Sequence, residues 1–146
     1  VRAEVKALGV EELPHVFGEV AAKMRADHGE DVLAQRLTSA VDELLLENPI
    51  VLIEGLRGTA ERELFANHWS KDFIVVAVSA SKDLRFERVV SRARSEDGSL
   101  SDLERRDARE TGWGLDVIIA EADQIFSNEA GLDELETSVT AWLKSL

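Results

Sequence analysis

Three hydrophobic runs in this chain end in turns loaded with chemistry. The first is Ile50-Val51-Leu52-Ile53-Glu54-Gly55-Leu56-Arg57-Gly58. Four apolar residues, three of them β-branched, read as a buried strand over Val51–Glu54. The run then delivers a carboxylate, a glycine and an arginine into a loop that opens a helix. In α/β proteins ligands sit at the carboxyl ends of parallel strands. A Glu and an Arg there suit a cation–phosphate ligand: Glu54 would hold hydrated Mg²⁺ and Arg57 a phosphate oxygen. The blander alternative is a buried strand followed by an ordinary polar turn.

The second chemical feature is a concentration of arginine. Arg85, Arg88, Arg92, Arg94, Arg105, Arg106 and Arg109 are seven arginines within 25 residues, in a chain with 29 acidic and 17 basic side chains. Arg85, Arg88 and Arg92 are spaced three and four apart, which puts them on one helical face. Such a group can grip a polyphosphate through planar, bidentate hydrogen bonds. The competing expectation is a solvated face paired to Glu87, Glu96, Asp102, Glu104 and Glu110.

The elements that must position these residues alternate. Helical spacing and breakers predict helices over Arg2–Leu8, His15–His28, Glu30–Glu47, Thr59–His68, Lys82–Arg94, Ser101–Glu110, Trp113–Ala122 and Leu132–Leu143. Thr59 and Ser81 are the expected N-caps of two of them. Phe73–Val78 and Gln124–Ser127 read as further strands. Strands separated by helices predict an α/β fold: a three-layer αβα parallel sheet with helices on both faces. Length predicts one domain spanning residues 1–146, with no linker or repeat.

Composition excludes several function classes. A net charge of −12 argues against a nucleic-acid binder. There is no run of about 18 apolar residues, so no membrane partner is expected. The chain has no cysteine, hence no disulfide and no thiolate metal site, which fits a cytoplasmic location. His15, His28 and His68 are too scattered to suggest a metal site. Trp69, Trp113 and Trp142 read as core or interface anchors, although Trp113 sits beside the arginines.

These residues carry a resemblance. The Ile50–Gly58 segment, the arginine-rich Arg85–Arg94 helix, Arg106-Asp107-Ala108-Arg109-Glu110 with Trp113-Gly114-Leu115, and Ala122-Asp123-Gln124-Ile125-Phe126-Ser127-Asn128-Glu129 together resemble an archaeal family of P-loop nucleotide-kinase-like proteins. That family is described as dephospho-coenzyme A kinase-related or adenylate-kinase-like. The resemblance runs over the whole chain in order. It implies ATP and Mg²⁺ as cofactors and a small phosphate-bearing nucleotide or coenzyme-like acceptor, and it allows a homo-oligomer.

The same resemblance assigns residues. Glu54 matches the acidic residue that holds Mg²⁺ through water, where the family's usual residue is Asp. Arg57 and Arg2 match arginines that bind the acceptor's phosphate. Arg88 and Arg92 match the base of a mobile lid, placed here at about 94–104. Arg106 and Arg109 match the arginines that return from the lid to the transferring phosphate. Asn128 matches the turn beside the adenine.

One departure is large. The phosphate-binding loop, G-x-x-x-x-G-K-[ST], is absent. None of Lys6, Lys23, Lys71, Lys82 and Lys144 follows a glycine in that frame. The resemblance implies about thirty further residues upstream, carrying that loop and two strands, and a first residue of Val rather than Met suits a fragment. The expectation is therefore phosphoryl transfer in the intact protein and inactivity in this chain alone. The alternative is a degenerate, non-catalytic kinase homologue acting as a binding or regulatory module.

Overall fold

The computed structural model describes residues 1–11, 13, 15–92 and 99–146. Of the expected lid at about 94–104, residues 94–98, Arg94 among them, lie outside the described residues, and residues 100–104 are helical. The chain is mostly helical: α1 (Arg2–Leu8), α2 (Val16–His28), α3 (Val32–Leu45), α4 (Thr59–Trp69), α5 (Lys82–Arg92), α6 (Leu100–Gly112), α7 (Leu115–Ala120) and α8 (Leu132–Leu143). Between them lie two strands, β1 (Val76–Ser79) and β2 (Gln124–Ser127). The strands pair in parallel, Val76 opposite Gln124 through Ser79 opposite Ser127.

Local chemistry sets the helix ends. Gly9 stops α1 in the left-handed conformation, at φ 66°, and its N–H donates to the Lys6 carbonyl. The N-cap of α4 is Gly58, not Thr59. The helix begins at Thr59, whose N–H donates to the Trp113 carbonyl at 3.1 Å, and the Glu61 carboxylate reaches back to accept from the Gly58 N–H at 3.0 Å. Ser81 stands at the N-cap position of α5, where its carbonyl accepts from the Arg85 N–H at 2.9 Å and its hydroxyl donates to Glu129 at 3.0 Å. Ser99 and Asp102 form a reciprocal cap on α6, and the Ser99 hydrogen bonds hold the Asp102 carboxyl well below the usual carboxylate range.

The sheet corrects the expected architecture. Residues 51–58 adopt no regular structure, so the expected strand at Val51–Glu54 is not formed among the described residues. Ile50 is 66% exposed and Leu52 87%. A strand exists only through its ladder, and no neighbour supplies backbone partners to this run. The second expected strand, Phe73–Val78, begins its ladder late. Phe73 instead packs on α4, with ring centroids 5.7 Å from Phe65 and 6.4 Å from Trp69. Its N–H closes the short turn at Ser70–Asp72. The third expected strand, Gln124–Ser127, is β2 as predicted.

Among the described residues the fold is a mixed α/β arrangement with a sheet of two parallel strands, smaller than the expected three-layer sandwich. β1 buries Ala77, with Val75 buried just before it, while β2 buries Phe126 against Trp142 of α8. The register puts these on opposite faces, so each face is covered over one strand only. Val76, Val78 and Ile125 remain exposed.

At the far end of the molecule, Asp42 of α3 grips α4. One carboxylate oxygen accepts from the Trp69 indole at 2.8 Å, and the other lies 2.9 Å from Nε2 of His68. The Trp69 bond, then the His68 bond, lowers the Asp42 pKa below its ordinary 3.8. The folded chain thus binds this proton more weakly than the unfolded one. Its stabilising contribution is present above about pH 3.8 and is lost as pH falls through the lowered native value. Melting curves of the parent and Asp42→Ala should therefore separate at pH 6 and converge in acid. Equal separation at pH 6 and pH 2 would contradict this linkage.

Candidate functional site

The arginines build two adjoining cavities. The first, about 330 Å³, is lined by Arg25, Arg57, Arg92, Arg106 and Arg109, with Phe17, Gly18 and Trp113 among its other walls. Among the described residues Glu110 is the only acidic one lining it. The second, about 340 Å³, is lined by Arg85 and Arg88 and shares Arg57, Arg92, Arg106 and Glu110 with the first. Arg57, Arg92 and Arg106 thus form a common wall. With Arg25 matched by the buried Glu61, the other four arginines against one lining carboxylate make a local positive field in an acidic protein.

Each arginine arrives by a different route. Arg57 leaves the irregular segment before α4; its Nε lies 3.3 Å from Glu110. Arg106 and Arg109 stand three apart on α6 and so share a face. Trp113 follows α6 at a sharp hinge, where Gly114 takes φ 92°. A Cβ at Gly114 would come within 2.6 Å of Thr59 Cγ2, so only glycine lets α7 turn this close to α4. The Thr59 N–H donates to the Trp113 carbonyl at 3.1 Å and locks the hinge to the start of α4.

Beneath the cavity lies a buried ion pair. Arg25 of α2 is 3% exposed, and its Nη2 donates to Glu61 Oε1 at 2.7 Å. The other Glu61 oxygen accepts from the backbone N–H groups of Arg57 and Gly58, at 3.2 and 3.0 Å. One carboxylate therefore ties α2 to the loop that presents Arg57. The Arg25 guanidinium carbon also sits 4.0 Å from the Trp113 ring centroid, within cation–π range.

The other residues singled out in the sequence are distributed as follows. Arg88 donates to the Asn128 carbonyl at 2.8 Å, joining α5 to the carboxyl end of β2. The Asn128 side-chain oxygen is buried and has no hydrogen-bond partner among the described residues. Arg2 lies over the Phe17 ring, 4.9 Å from its centroid, and does not line the arginine cavities. Glu54 is exposed and lines a separate cavity of about 360 Å³, which meets the first at Gly55. Among the described residues no three Asp, Glu, His or Cys side chains converge to hold a metal ion.

Two of the clustered arginines follow the solvated-face alternative. Arg85 makes a bidentate pair with Asp107, at 2.7 and 3.0 Å, and that hydrogen-bonded pair raises its pKa. Lys82 pairs with Glu104 at 2.6 Å, in step with it, so α5 and α6 are laced together. Arg105 pairs with Asp102. Arg25 and Glu61 were not among the residues picked out by sequence. The available signal was position: Arg25 follows Ala21 by four and adjoins Met24, on the inward stripe of α2.

Comparison with known proteins places the chain among archaeal relatives. No family model matches it. It is 35% identical over 147 residues to the "UPF0200/UPF0201 protein" of Archaeoglobus fulgidus, covering all of this chain and 46% of that protein. It is 34% identical to the "UPF0200 protein" of Methanoculleus marisnigri, covering 98% of this chain and 77% of the relative. For the "UPF0200 protein" of Methanoregula boonei the identity is 35%, over 100% and 79%. The chain thus spans under half of the first relative's length and about four-fifths of the other two. Among the described residues no helix is long and apolar enough to cross a membrane. With a third of its residues shared along nearly its whole length, and most of each shorter relative covered, the chain belongs to the UPF0200 family.

Proposed function

We propose that in the intact protein this chain forms the acceptor- and lid-side part of a P-loop-kinase-like domain, which moves a phosphoryl group from ATP to a small phosphate-bearing acceptor. The single observation that carries this reading is the five-arginine cavity with one lining carboxylate, in a protein of net charge −12. Phosphoryl transfer spreads negative charge over oxygens, so its catalysis is positioning and electrostatic stabilisation. Arg57 and Arg109 would hold the acceptor's phosphate. Arg92 and Arg106, in the wall common to both cavities, would face the group in flight. Phe17 offers an apolar side for the organic part of the acceptor.

Arg88 and Asn128 stand at the end of β2, and the orphaned Asn128 oxygen is an acceptor for a ligand N–H. For Mg²⁺ the fit is poor within this chain. Glu54 is exposed, lines neither arginine cavity and lacks companion ligands among the described residues, so no step is routed through a cation here. On this reading the phosphate loop would lie in sequence outside these residues.

Titration calorimetry tests the reading. Residues 1–146 should bind pyrophosphate with Kd on the order of 1 mM at low salt, equivalent to two charge-assisted hydrogen bonds or so. ATP should bind no more tightly than pyrophosphate, because the backbone cradle and lysine of a phosphate loop are missing. A form extended upstream through a G-x-x-x-x-G-K-[ST] segment should gain ATP affinity. Submicromolar ATP binding by residues 1–146, or encoding DNA with no such segment in frame, would instead favour a non-catalytic binding module.

A further inference from the structure

Gly18 is the third residue of α2 and is buried at the wall of the first arginine cavity. A Cβ placed on it would lie 2.1 Å from both Cζ and Nη2 of Arg109, and 2.5 Å from Nη1. The Arg109 guanidinium therefore lies directly against the backbone of α2, in space that any other residue would fill. Nearby, the Trp113 ring centroid is 5.7 Å from the same Cζ. The Arg109 Nε is buried and has no hydrogen-bond partner among the described residues. Glycine is unfavourable inside a helix relative to alanine, so its presence at Gly18 asks for a reason.

We propose that Gly18 and Trp113 are positioning residues that form a slot for Arg109 and aim its guanidinium at a ligand's phosphate. This rests on reading the cavity as an anion site. An arginine side chain loses much rotamer freedom when it is fixed. A slot that fixes it before the ligand arrives removes that cost from binding. Trp113 serves here as a support for guanidinium groups rather than as a stacking surface for substrate. Its ring already lies 4.0 Å from the Arg25 guanidinium, whose charge is matched by Glu61. Arg109 is thereby joined to α2 although it is carried by α6, and ligand binding at this arginine is coupled to the packing of those two helices.

The test is pyrophosphate titration of Gly18→Ala, Arg109→Ala and the double variant. Gly18→Ala should bind about tenfold more weakly than the parent, the loss of one charge-assisted hydrogen bond. Its melting temperature should not fall, because alanine favours the helix and the flexible arginine is what gives way. In the Arg109→Ala background the same substitution should cost no further affinity. Trp113→Phe should bind nearly as well as the parent and Trp113→Leu about tenfold more weakly, since only the ring supports the guanidinium. Parent-like binding by Gly18→Ala, or an equal loss with and without Arg109, would overturn the slot. So would equal affinities for the two Trp113 variants. No pyrophosphate binding by the parent would overturn the anion site itself, and the slot with it.

Discussion

Glu61→Ala should destabilise the chain by about 3–5 kcal/mol, the range for removing one member of a buried ion pair. Arg25 and Glu61 have side chains only 3% and 5% exposed, with the charged atoms 2.7 Å apart. Without the carboxylate, Arg25 keeps its charge in a site where its side chain is only 3% exposed, and its Nε has no hydrogen-bond partner among the described residues. The N–H groups of Arg57 and Gly58 lose their acceptor as well. Domains of this kind are held by only about 5–15 kcal/mol in total. The substitution should therefore lower the melting temperature by roughly 6–20 °C. The matched control replaces both partners, Arg25→Met with Glu61→Leu. That pair should recover most of the loss, because two apolar side chains leave no uncompensated charge. Denaturant titrations of the three proteins decide the matter. A cost below about 1 kcal/mol for Glu61→Ala would mean that the pair is solvated and is not the clamp described above.

The second large effect concerns turnover. In a form extended upstream to carry the phosphate loop, Arg106→Ala should lower kcat on the order of 10²-fold or more, as the loss of one preorganised charge donor does. The KM for ATP should change much less. An interaction that strengthens only as charge develops on the transferring group alters kcat and kcat/KM together and leaves ground-state binding nearly intact. Arg106 is suited to this because it stands in the wall shared by both cavities, in reach of ligands in either. Steady-state kinetics of the parent and the variant give the answer. Unchanged kcat would remove Arg106 from the transferring site, and a rise in KM alone would make it a binding residue.

What could be read from the sequence was what local chemistry decides. α1 and α8 begin and end where Gly9 and the apolar spacing of Leu132–Leu143 place them. β2 was legible as a short apolar run between polar turns. The run at Val51–Glu54 was not, because strand formation depends on a partner that local composition cannot reveal. Phe73 left its expected strand for an aromatic cluster on α4, a choice made by tertiary contact. The arginine cluster divided in the same way. Arg85 and Arg105 each pair with an acid placed by the α5–α6 contact or by helix spacing, while Arg92 and Arg106 line both cavities. Arg25 and Glu61 lie 36 residues apart and become a pair only once α2 meets α4. A charged residue on an apolar stripe was the one warning available.

The parallel pairing of β1 with β2 joins residues 48 apart, with α5, α6 and α7 between them. Closing a loop of that length costs about 3 kcal/mol in chain entropy. The contacts of α1 with α2, α2 with α3 and α3 with α4 join elements adjacent in sequence and need no such closure. During synthesis, β1 leaves the ribosome well before its partner exists. At ordinary elongation rates, roughly 2–10 s pass before the residues of β2 are added. For that interval Ile74, Val76 and Val78 belong to an unpaired apolar segment, the kind that nascent-chain chaperones hold. The pace of translation across residues 80–123 thus bears on the yield of folded protein, independently of any side chain in the cavity.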